Sequence, residues 1–546
     1  MKVKLVERKI YLEKLENLRD TPDIKVITGM RRSGKSVIVQ QFINRIKQTE
    51  PLAHVLFVDF TRLEFEELKD YRRLSSWAEE NRREGVRNYL VIDEVQMCEK
   101  FEHAINSLHA SQNFDIYLTG SNAFLLSSDL ATLFTGRAMV IEVFPFSFAE
   151  YRLYFGYEQR VDEAFDDYVR KGGLPGSYVY RTETERTENL LETYKTIVQR
   201  DLIEKYRLGN AAAMHCIGEF LMDNIGNITS PNNVSKSLSV KQVEPSHVTT
   251  GNYIRHLCHA FIFAECKRYD LKGAKYLESL SKYYLYDHGL RFAVLGNRYV
   301  DYGRLYENIV YIELRRRGYE VYVGKLYEKE VDFVASRGSE RLYIQVSDDI
   351  SNEKTLAREL TPLEKIADAY PKILIARTHH DESILSGIRI IDIVRWLAGE
   401  EARMSVASRI RSRVKTALAQ DFKSVADVNG RGQAEFDFLA NSGLFTVEAN
   451  GTTFVTSWSE AGADSVHAYK DKVELLGVKS GIVEFPLSVE EMEQFDFTRR
   501  SSVCNIGDIV VFMNRDGRFL AAKILDVQVK SRGASRNLLS FSYRVY

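Results

Sequence analysis

At 546 residues the chain has room for roughly three to five domains of ordinary size, and 45% hydrophobic residues are ample for their cores. The 75 Lys and Arg against 76 Asp and Glu leave a net charge of −1, which excludes a chain basic throughout but allows a local basic patch. No apolar run approaches the length of a membrane span, and the five cysteines form no C-x-x-C pair, so neither a zinc knuckle, a disulfide framework nor a membrane anchor is indicated. A cytoplasmic protein with reduced thiols fits this pattern.

The N-terminus, MKVKLVERKIYLEKL, has the spacing of a charged amphipathic helix rather than a signal peptide. The β-branched run Ile24–Thr28 predicts a buried strand. Gly29–Ser36, GMRRSGKS, follows at once and fits the phosphate-loop pattern G-x-x-x-x-G-K-[ST]. After it, Val37, Ile38, Phe42, Ile43 and Ile46 recur at helical spacing. A strand, a glycine loop and a helix start direct backbone N–H groups and a helix N-terminus at one anion. The expected nucleotide-binding residues are Gly29, Arg32, Ser33, Gly34, Lys35 and Ser36, and the expected ligand is ATP.

The run Asn88–Gln96, NYLVIDEVQ, reads as a strand buried on both faces and closed by two carboxylates. Behind a phosphate loop this pair has defined work. Asp93 would hold Mg²⁺ together with the Ser36 hydroxyl, Lys35 would balance charge on the β- and γ-phosphates, and Glu94 would orient or deprotonate the attacking water. The next strand, DIYLTGSN, ends in Ser121 and Asn122, and Asn122 is the residue expected to touch the γ-phosphate or the water. Thr135-Gly136-Arg137 precedes a further strand, AMVIEV. Arg137 stands where a ring-forming ATPase presents a finger to its neighbour; a plain surface arginine is the alternative.

GMRRSGKS, VIDEVQ, TGSN and TGR, followed by FPFSFAEY (Phe144–Tyr151) and GGLP (Gly172–Pro175), together resemble the prokaryotic AAA-type ATPases of the archaeal-ATPase kind. The resemblance covers roughly residues 1–398. It implies an α/β P-loop NTPase core, then a helical and winged-helix region, then a nuclease-like domain, and it implies a homo-oligomer. The expected layout is an ATPase domain at 1–150, a helical lid or connector at 151–205, a winged helix-turn-helix at 206–300 and a PD-(D/E)XK-like α/β domain at 301–398. A linker helix at 399–420 and a small mostly-β module at 421–546 complete it.

Between 206 and 300, EFLMDNIGN, SPNNVSKSL and HVTTGNYIRHLCHAFIF read as three helices, the second with a Ser-Pro start suited to a helix N-terminus. AECKRYD and KYYLYD then form a strand pair around Lys272, Gly273 and Lys275. This is a winged-helix layout. Residues 247–275 offer His247, Arg255, His256, Lys267, Arg268, Lys272 and Lys275 to DNA phosphates; a packing or oligomerisation module with a solvated basic face is the alternative.

From 301 to 398 the order is a helix carrying Glu307, a strand carrying Asp332 and a strand RLYIQVS. This resembles the PD-(D/E)XK nucleases, whose helix Glu, strand Asp and E-x-K strand bind metal and activate water. Here the E-x-K position reads Gln345-Val346-Ser347. A neutral amide binds a divalent ion less well than a carboxylate, and serine lacks the charge of lysine. An inactive docking or DNA-backbone-binding fold is therefore expected ahead of an active nuclease.

Residues 400–420 are rich in Arg, Ser and Lys and read as a boundary. Strand-like runs follow, with Asn514-Arg515-Asp516-Gly517 as a turn signal, so a small β barrel or sandwich is expected. Its pattern resembles a module at the C-termini of bacterial proteins bearing TIR-type effector domains. That resemblance implies a partner-binding role for 421–546 in prokaryotic antiviral defence; a β appendage that aids folding is the alternative. Trp458, His467 and Tyr469 lack an acid or nucleophile at matched spacing, and as buried aromatics are commoner in a β core they are assigned no chemistry. The function expected overall is an ATP-hydrolysing switch engaging DNA or a protein partner. An ATP-dependent DNA nuclease and an ATP-binding scaffold with little turnover are the other two readings.

Overall fold

Five short apolar runs make one parallel sheet. The computed structural model describes residues 4–121, most of 134–399 and most of 431–545, and the chain divides into two compact units between Gly399 and Glu400. In chain order the first unit begins α1 (Lys9–Asn17), β1 (Ile24–Thr28), α2 (Lys35–Thr49), β2 (His54–Asp59), α3 (Tyr71–Glu80), β3 (Asn88–Asp93), α4 (Phe101–Ala110), β4 (Asp115–Gly120) and β5 (Ala138–Glu142). The strand order is β2-β3-β4-β1-β5, with every neighbouring pair parallel. Both faces are covered, as a parallel sheet requires. Ile24, Val26, Leu90, Ile92 and Leu118 pack with Leu74 of α3 and Ile105 of α4. On the other face Ile27, Tyr89, Val91 and Tyr117 pack with Tyr11 of α1 and with Ile38 and Phe42 of α2. Each such side chain contributes about 1.5–3 kcal/mol through burial.

Lys25 is the polar exception inside β1 and has no exposed surface. Its ammonium lies 2.5 Å from Asp115 Oδ1 at the start of β4 and donates to the Thr21 carbonyl at 2.7 Å. Asp115 Oδ2 also accepts from the Asp20 N–H and the Tyr117 hydroxyl. The pair pins β1 beside β4, which sets the register at the far end where the phosphate loop emerges.

The expected N-terminal helix is shorter than its pattern, beginning only at Lys9. Arg8 stands at the N-cap with a non-helical backbone, its guanidinium on tertiary partners described below. The boundary expected at 150/151 falls inside α5 (Phe148–Phe155), whose N-terminus is closed by a capping box between Ser147 and Glu150. Next come α6 (Val161–Lys171) and α7 (Glu183–Thr196), and α7 runs on into a π-helical segment, Ile197–Glu204.

Three helices follow: α8 (Ala211–Asp223), which starts and ends earlier than the expected EFLMDNIGN, α9 (Pro231–Ser239), and α10 (His247–His259), which stops short of the expected AFIF. Pro231 opens α9, where its missing N–H costs nothing. Then come β6 (Phe263–Asp270) and β7 (Lys275–Leu285), paired antiparallel, and α11 (Gly289–Leu295). The rest of the unit is α12 (Tyr302–Arg316), β8 (Glu320–Leu326), β9 (Lys329–Arg337), β10 (Glu340–Ser347), α13 (Glu353–Glu364), β11 (Lys372–Ala376), β12 (Ser383–Leu385), β13 (Ile388–Asp392) and α14 (Ile393–Ala398). The boundary expected at 300/301 is not a seam in the sheet. β6 pairs in parallel with β8, so the hairpin forms one end of an eight-stranded sheet ordered β12-β13-β11-β10-β9-β8-β6-β7.

The loop between β7 and α11 carries Asp287 and His288, both buried. Asp287 accepts from the Gly173 N–H at 2.6 Å and the Gly289 N–H at 3.0 Å, tying GGLP to this loop. His288 Nε2 lies 2.9 Å from the Tyr168 carbonyl, which fixes the proton on that nitrogen. Burial lowers the His288 pKa from 6.5 to about 4, with Arg316 adding to the effect and the Tyr168 carbonyl opposing it. The folded protein therefore holds a neutral ring that the unfolded chain protonates near pH 6.5. Stability from this group is complete above that value and is lost as pH falls toward 4, by about 3 kcal/mol. Thermal unfolding of wild type and His288→Gln is expected to converge over that window; a gap constant with pH would contradict it.

In the second unit β14 (Arg431–Phe436), β15 (Leu444–Ala449), β16 (Thr452–Glu460), β17 (Ser465–Tyr469), β18 (Leu475–Lys479), β19 (Ser501–Asn505), β20 (Ile509–Met513), β21 (Phe519–Gln528) and β22 (Leu538–Val545) form two antiparallel sheets. Their orders are β14-β22-β21-β20-β18 and β15-β16-β17-β19. Side chains of both sheets share one core, with Trp458 packed on Phe512 and Phe541. The expected linker helix lies outside the described residues, as do Arg515, Asp516 and Gly517 of the expected turn.

Candidate nucleotide site

The site stands at the carboxyl ends of the parallel strands, where open α/β sheets bind ligands. Gly29 leaves β1 at φ 142°, and a Cβ there would lie 2.2 Å from the Val143 carbonyl oxygen, so no side chain fits. Gly34 (φ 97°) caps α2, whose first-turn N–H groups have no partners within the helix. Ser33 Oγ is buried without a hydrogen-bond partner, a donor that a phosphate oxygen would satisfy. Lys35 is buried, and its ammonium folds back on the Gly29 and Met30 carbonyls at 2.9 and 3.1 Å. Burial lowers its pKa, opposed by the nearby Glu94 and Asp93 carboxylates.

Asp93 ends β3, buried, and accepts a hydrogen bond from the Thr119 hydroxyl, with the Ser36 hydroxyl beside it. Burial nevertheless holds its carboxyl above the ordinary range. Glu94 takes a left-handed backbone (φ 56°), which turns the chain out of the strand. Its N–H donates to Thr119 Oγ1 at 2.9 Å, and its carboxylate accepts from Ser121 Oγ at 3.2 Å and from Gln96 Nε2. Thr119, on the neighbouring strand β4, thus sets both acids. Thr119→Val removes a donor to Asp93 and an acceptor from Glu94 at once, and ATP turnover is expected to fall about 10–100-fold, read by steady-state hydrolysis.

These residues fit a magnesium nucleotide: a hydroxyl and a carboxylate, both hard oxygen ligands, meet beside a loop of backbone donors. Ser36 and Asp93 would hold the Mg²⁺, which when bound neutralises charge on the phosphate oxygens.

The structure gathers Gly29, Ser33, Gly34, Lys35, Ser36, Asp93 and Glu94 around one cradle. Arg32 is placed differently. Its guanidinium donates to Thr193 Oγ1 of α7 at 2.8 Å, because its left-handed backbone (φ 65°) turns the side chain toward the helical region. Asn122 and Thr135 lie outside the described residues. Arg137 is exposed at the start of β5, its carbonyl accepting from the Ile24 N–H at 2.8 Å.

Several residues around the loop carried no role in the sequence reading. Arg8 is buried and donates to the Ser33 carbonyl at 3.0 Å and to Glu150 through Nε at 2.8 Å and Nη2 at 2.9 Å. FPFSFAEY is thereby explained: its Ser147 and Glu150 cap α5, and the same carboxylate holds the arginine that grips the phosphate loop. Arg31 lies 3.4 Å from Asp201 in the π-helical segment. Pro175 of GGLP sits 3.9 Å from where a Cβ on Gly34 would be.

An AAA domain family matches residues 21–152, and a domain of unknown function (DUF8612) matches 162–301. An uncharacterized protein of Haemophilus influenzae is 36% identical over 398 residues, 72% of this chain and 98% of that protein. An uncharacterized protein of Methanocaldococcus jannaschii is 26% identical over 380 residues, 67% of this chain and 82% of that one. Among solved structures, the Walker-type ATPase of Pyrococcus abyssi aligns with 54% of this chain and 96% of its own at 17% identity and a TM-score of 0.38. The Aeropyrum pernix ORC1 protein, solved in complex with DNA, covers 57% and 95% at 13% identity and a TM-score of 0.28. Fold and loop define residues 21–152 as an AAA-type P-loop domain, with a cradle that fits a nucleoside triphosphate. The chain belongs to the family of the Haemophilus influenzae protein. Among the described residues no helix is long and apolar enough to cross a membrane.

Proposed function

We propose that this chain is a cytoplasmic, homo-oligomeric ATPase whose nucleotide state switches its grip on DNA or a protein partner. The observation that carries the reading is the pair of contacts from the phosphate loop to the helical region, Arg31 to Asp201 and Arg32 to Thr193. A triphosphate in the cradle competes with Asp201 for Arg31, so filling the site loosens one contact and shifts the helices behind it. Asp201 is itself held above the ordinary carboxylate range by burial, opposed by Arg31 and Arg200 and reinforced by Glu94. In hydrolysis Lys35 binds the β- and γ-phosphates, Glu94 takes the proton of the attacking water, Asn122 orients it and Arg137 reaches a neighbouring subunit's nucleotide.

Helices α8 to α10 and the β6–β7 hairpin act in this reading as a winged helix-turn-helix. His247, Arg255, Lys267, Lys272 and Lys275 are exposed and available to DNA phosphates. Their neighbour His256 is half-buried, its ring 4.4 Å from that of Tyr206, and contributes to packing. Residues 301–398 serve as a PD-(D/E)XK-like docking fold, and the second unit binds a partner in antiviral defence.

The test is steady-state ATP hydrolysis alone and with duplex or single-stranded DNA, with Lys35→Ala as control. Lys35→Ala is expected to lose nucleotide binding; unchanged ATP affinity would remove the site assignment. Stimulation by DNA supports the DNA-coupled switch, and turnover indifferent to DNA assigns the partner to the protein class.

A further inference from the structure

Lys282, on β7, has a side chain only 4% exposed, yet it is charged. Its Nζ lies 2.7 Å from Glu307 Oε1 on α12, 2.6 Å from Glu330 Oε1 on β9 and 3.7 Å from Asp332 Oδ1 on the same strand. An ammonium has three N–H donors and no acceptor, so three carboxylates are a matched surrounding. Glu307 Oε1 also accepts the Tyr284 hydroxyl at 2.5 Å, and Asp332 Oδ2 accepts the Val346 N–H at 2.9 Å. Burial alone would lower the Lys282 pKa, but Glu307, Asp332 and Glu330 outweigh it and hold the ammonium charged. Burial and the adjacent Glu307 raise Asp332, as expected where one cation serves several acids.

The nuclease-like order of elements implies a divalent ion at this place, and the residues do not fit one. Gln345 stands in the carboxylate position, and both ends of its amide are engaged. Its Oε1 accepts the Asp332 N–H at 3.3 Å and its Nε2 donates to Glu359 at 3.0 Å. Ser347 donates to the Asp349 carbonyl at 3.1 Å. Among the described residues no group of three His, Cys, Asp or Glu side chains is arranged to hold a metal. A divalent ion between Glu307 and Asp332 would also stand against the buried ammonium, and like charges at that spacing repel strongly in a desolvated pocket.

The geometry points to Lys282 as the resident cation of this acid pocket, its ammonium standing where a divalent ion would otherwise bind, so that the pocket is a cation-filled joint between hairpin and α/β unit and not a metal-dependent hydrolytic centre. The inference does not rest on the ATPase reading. It is decided by Mn²⁺ titration of the full chain without nucleotide, followed by electron paramagnetic resonance.

Wild type and Glu307→Gln are expected to take up Mn²⁺ alike. A saturable wild-type site lost in Glu307→Gln overturns the inference. Lys282→Met is expected to gain a single saturable Mn²⁺ site, together with a Tm that Mn²⁺ raises in this variant and not in wild type. The double change Lys282→Met/Glu307→Gln should lose that gain. A folded Lys282→Met protein without added Mn²⁺ uptake overturns the inference as well. Where Lys282→Met fails to fold, the double variant decides: recovered folding supports the counter-ion role, and failure of both rejects it.

Discussion

Glu94→Gln is expected to lower ATP turnover by about 10²–10⁴-fold while leaving ATP affinity within about threefold of wild type. Glu94 is held by its own backbone bond to Thr119 and by Ser121 and Gln96 on its carboxylate. An amide of the same shape keeps an oxygen for Ser121 and leaves the cradle of Gly29–Ser36 untouched, so binding survives. What it cannot do is accept a proton from water. Steady-state hydrolysis and titration with a fluorescent ATP analogue separate the two effects. Turnover near wild type would mean that another group activates the water.

The second large effect is on stability. Arg8→Met leaves the Glu150 carboxylate with its main counter-charge removed, at a position where burial raises the carboxyl pKa and Arg8, helped by Arg316 and the Ser147 N–H, brings it below the ordinary value. Removing one partner of a buried ion pair costs about 3–5 kcal/mol, because the remaining charge stays desolvated. The Ser33 carbonyl loses its donor in the same substitution, so the apparent Michaelis constant for ATP is expected to rise alongside the fall in Tm. Arg8→Met/Glu150→Gln should regain much of the stability and little of the ATP affinity. Thermal unfolding of the single variant indistinguishable from wild type would show that the pair contributes no net stability.

The sequence makes the nucleotide cradle legible because its parts are contiguous. Ile24–Thr28 is β-branched, the two glycines are placed where left-handed backbone is needed, and Asp93 closes an apolar run, so strand, loop and acid follow from local chemistry. Thr119 is not legible in that way. Its role exists only because β4 lies beside β3, which brings a residue 26 positions away against Asp93. Arg8 and Glu150 are 142 residues apart, and no periodicity links them. Lys282 opens the strand run KYYLYD without a role of its own until β6 joins β8 and carries the hairpin into the larger sheet. The same parallel pairing carries one sheet across residue 300, where the motifs place a boundary. Arg32 was legible as part of a pattern but not in its direction, since the sign of φ at that position turns its side chain from phosphate to helix.

The joined sheet also governs how the first unit can be taken apart. A chain ended at residue 300 would keep the hairpin but strip β8 from β6, baring backbone donors and acceptors along Arg268–Asp270, and would leave Lys282 a buried charge with no acid near it. A chain begun at 301 would carry the complementary defect, Glu307 and Asp332 facing each other without their ammonium. Each half would thus bare a sheet edge and buried charge that the whole eight-stranded sheet satisfies.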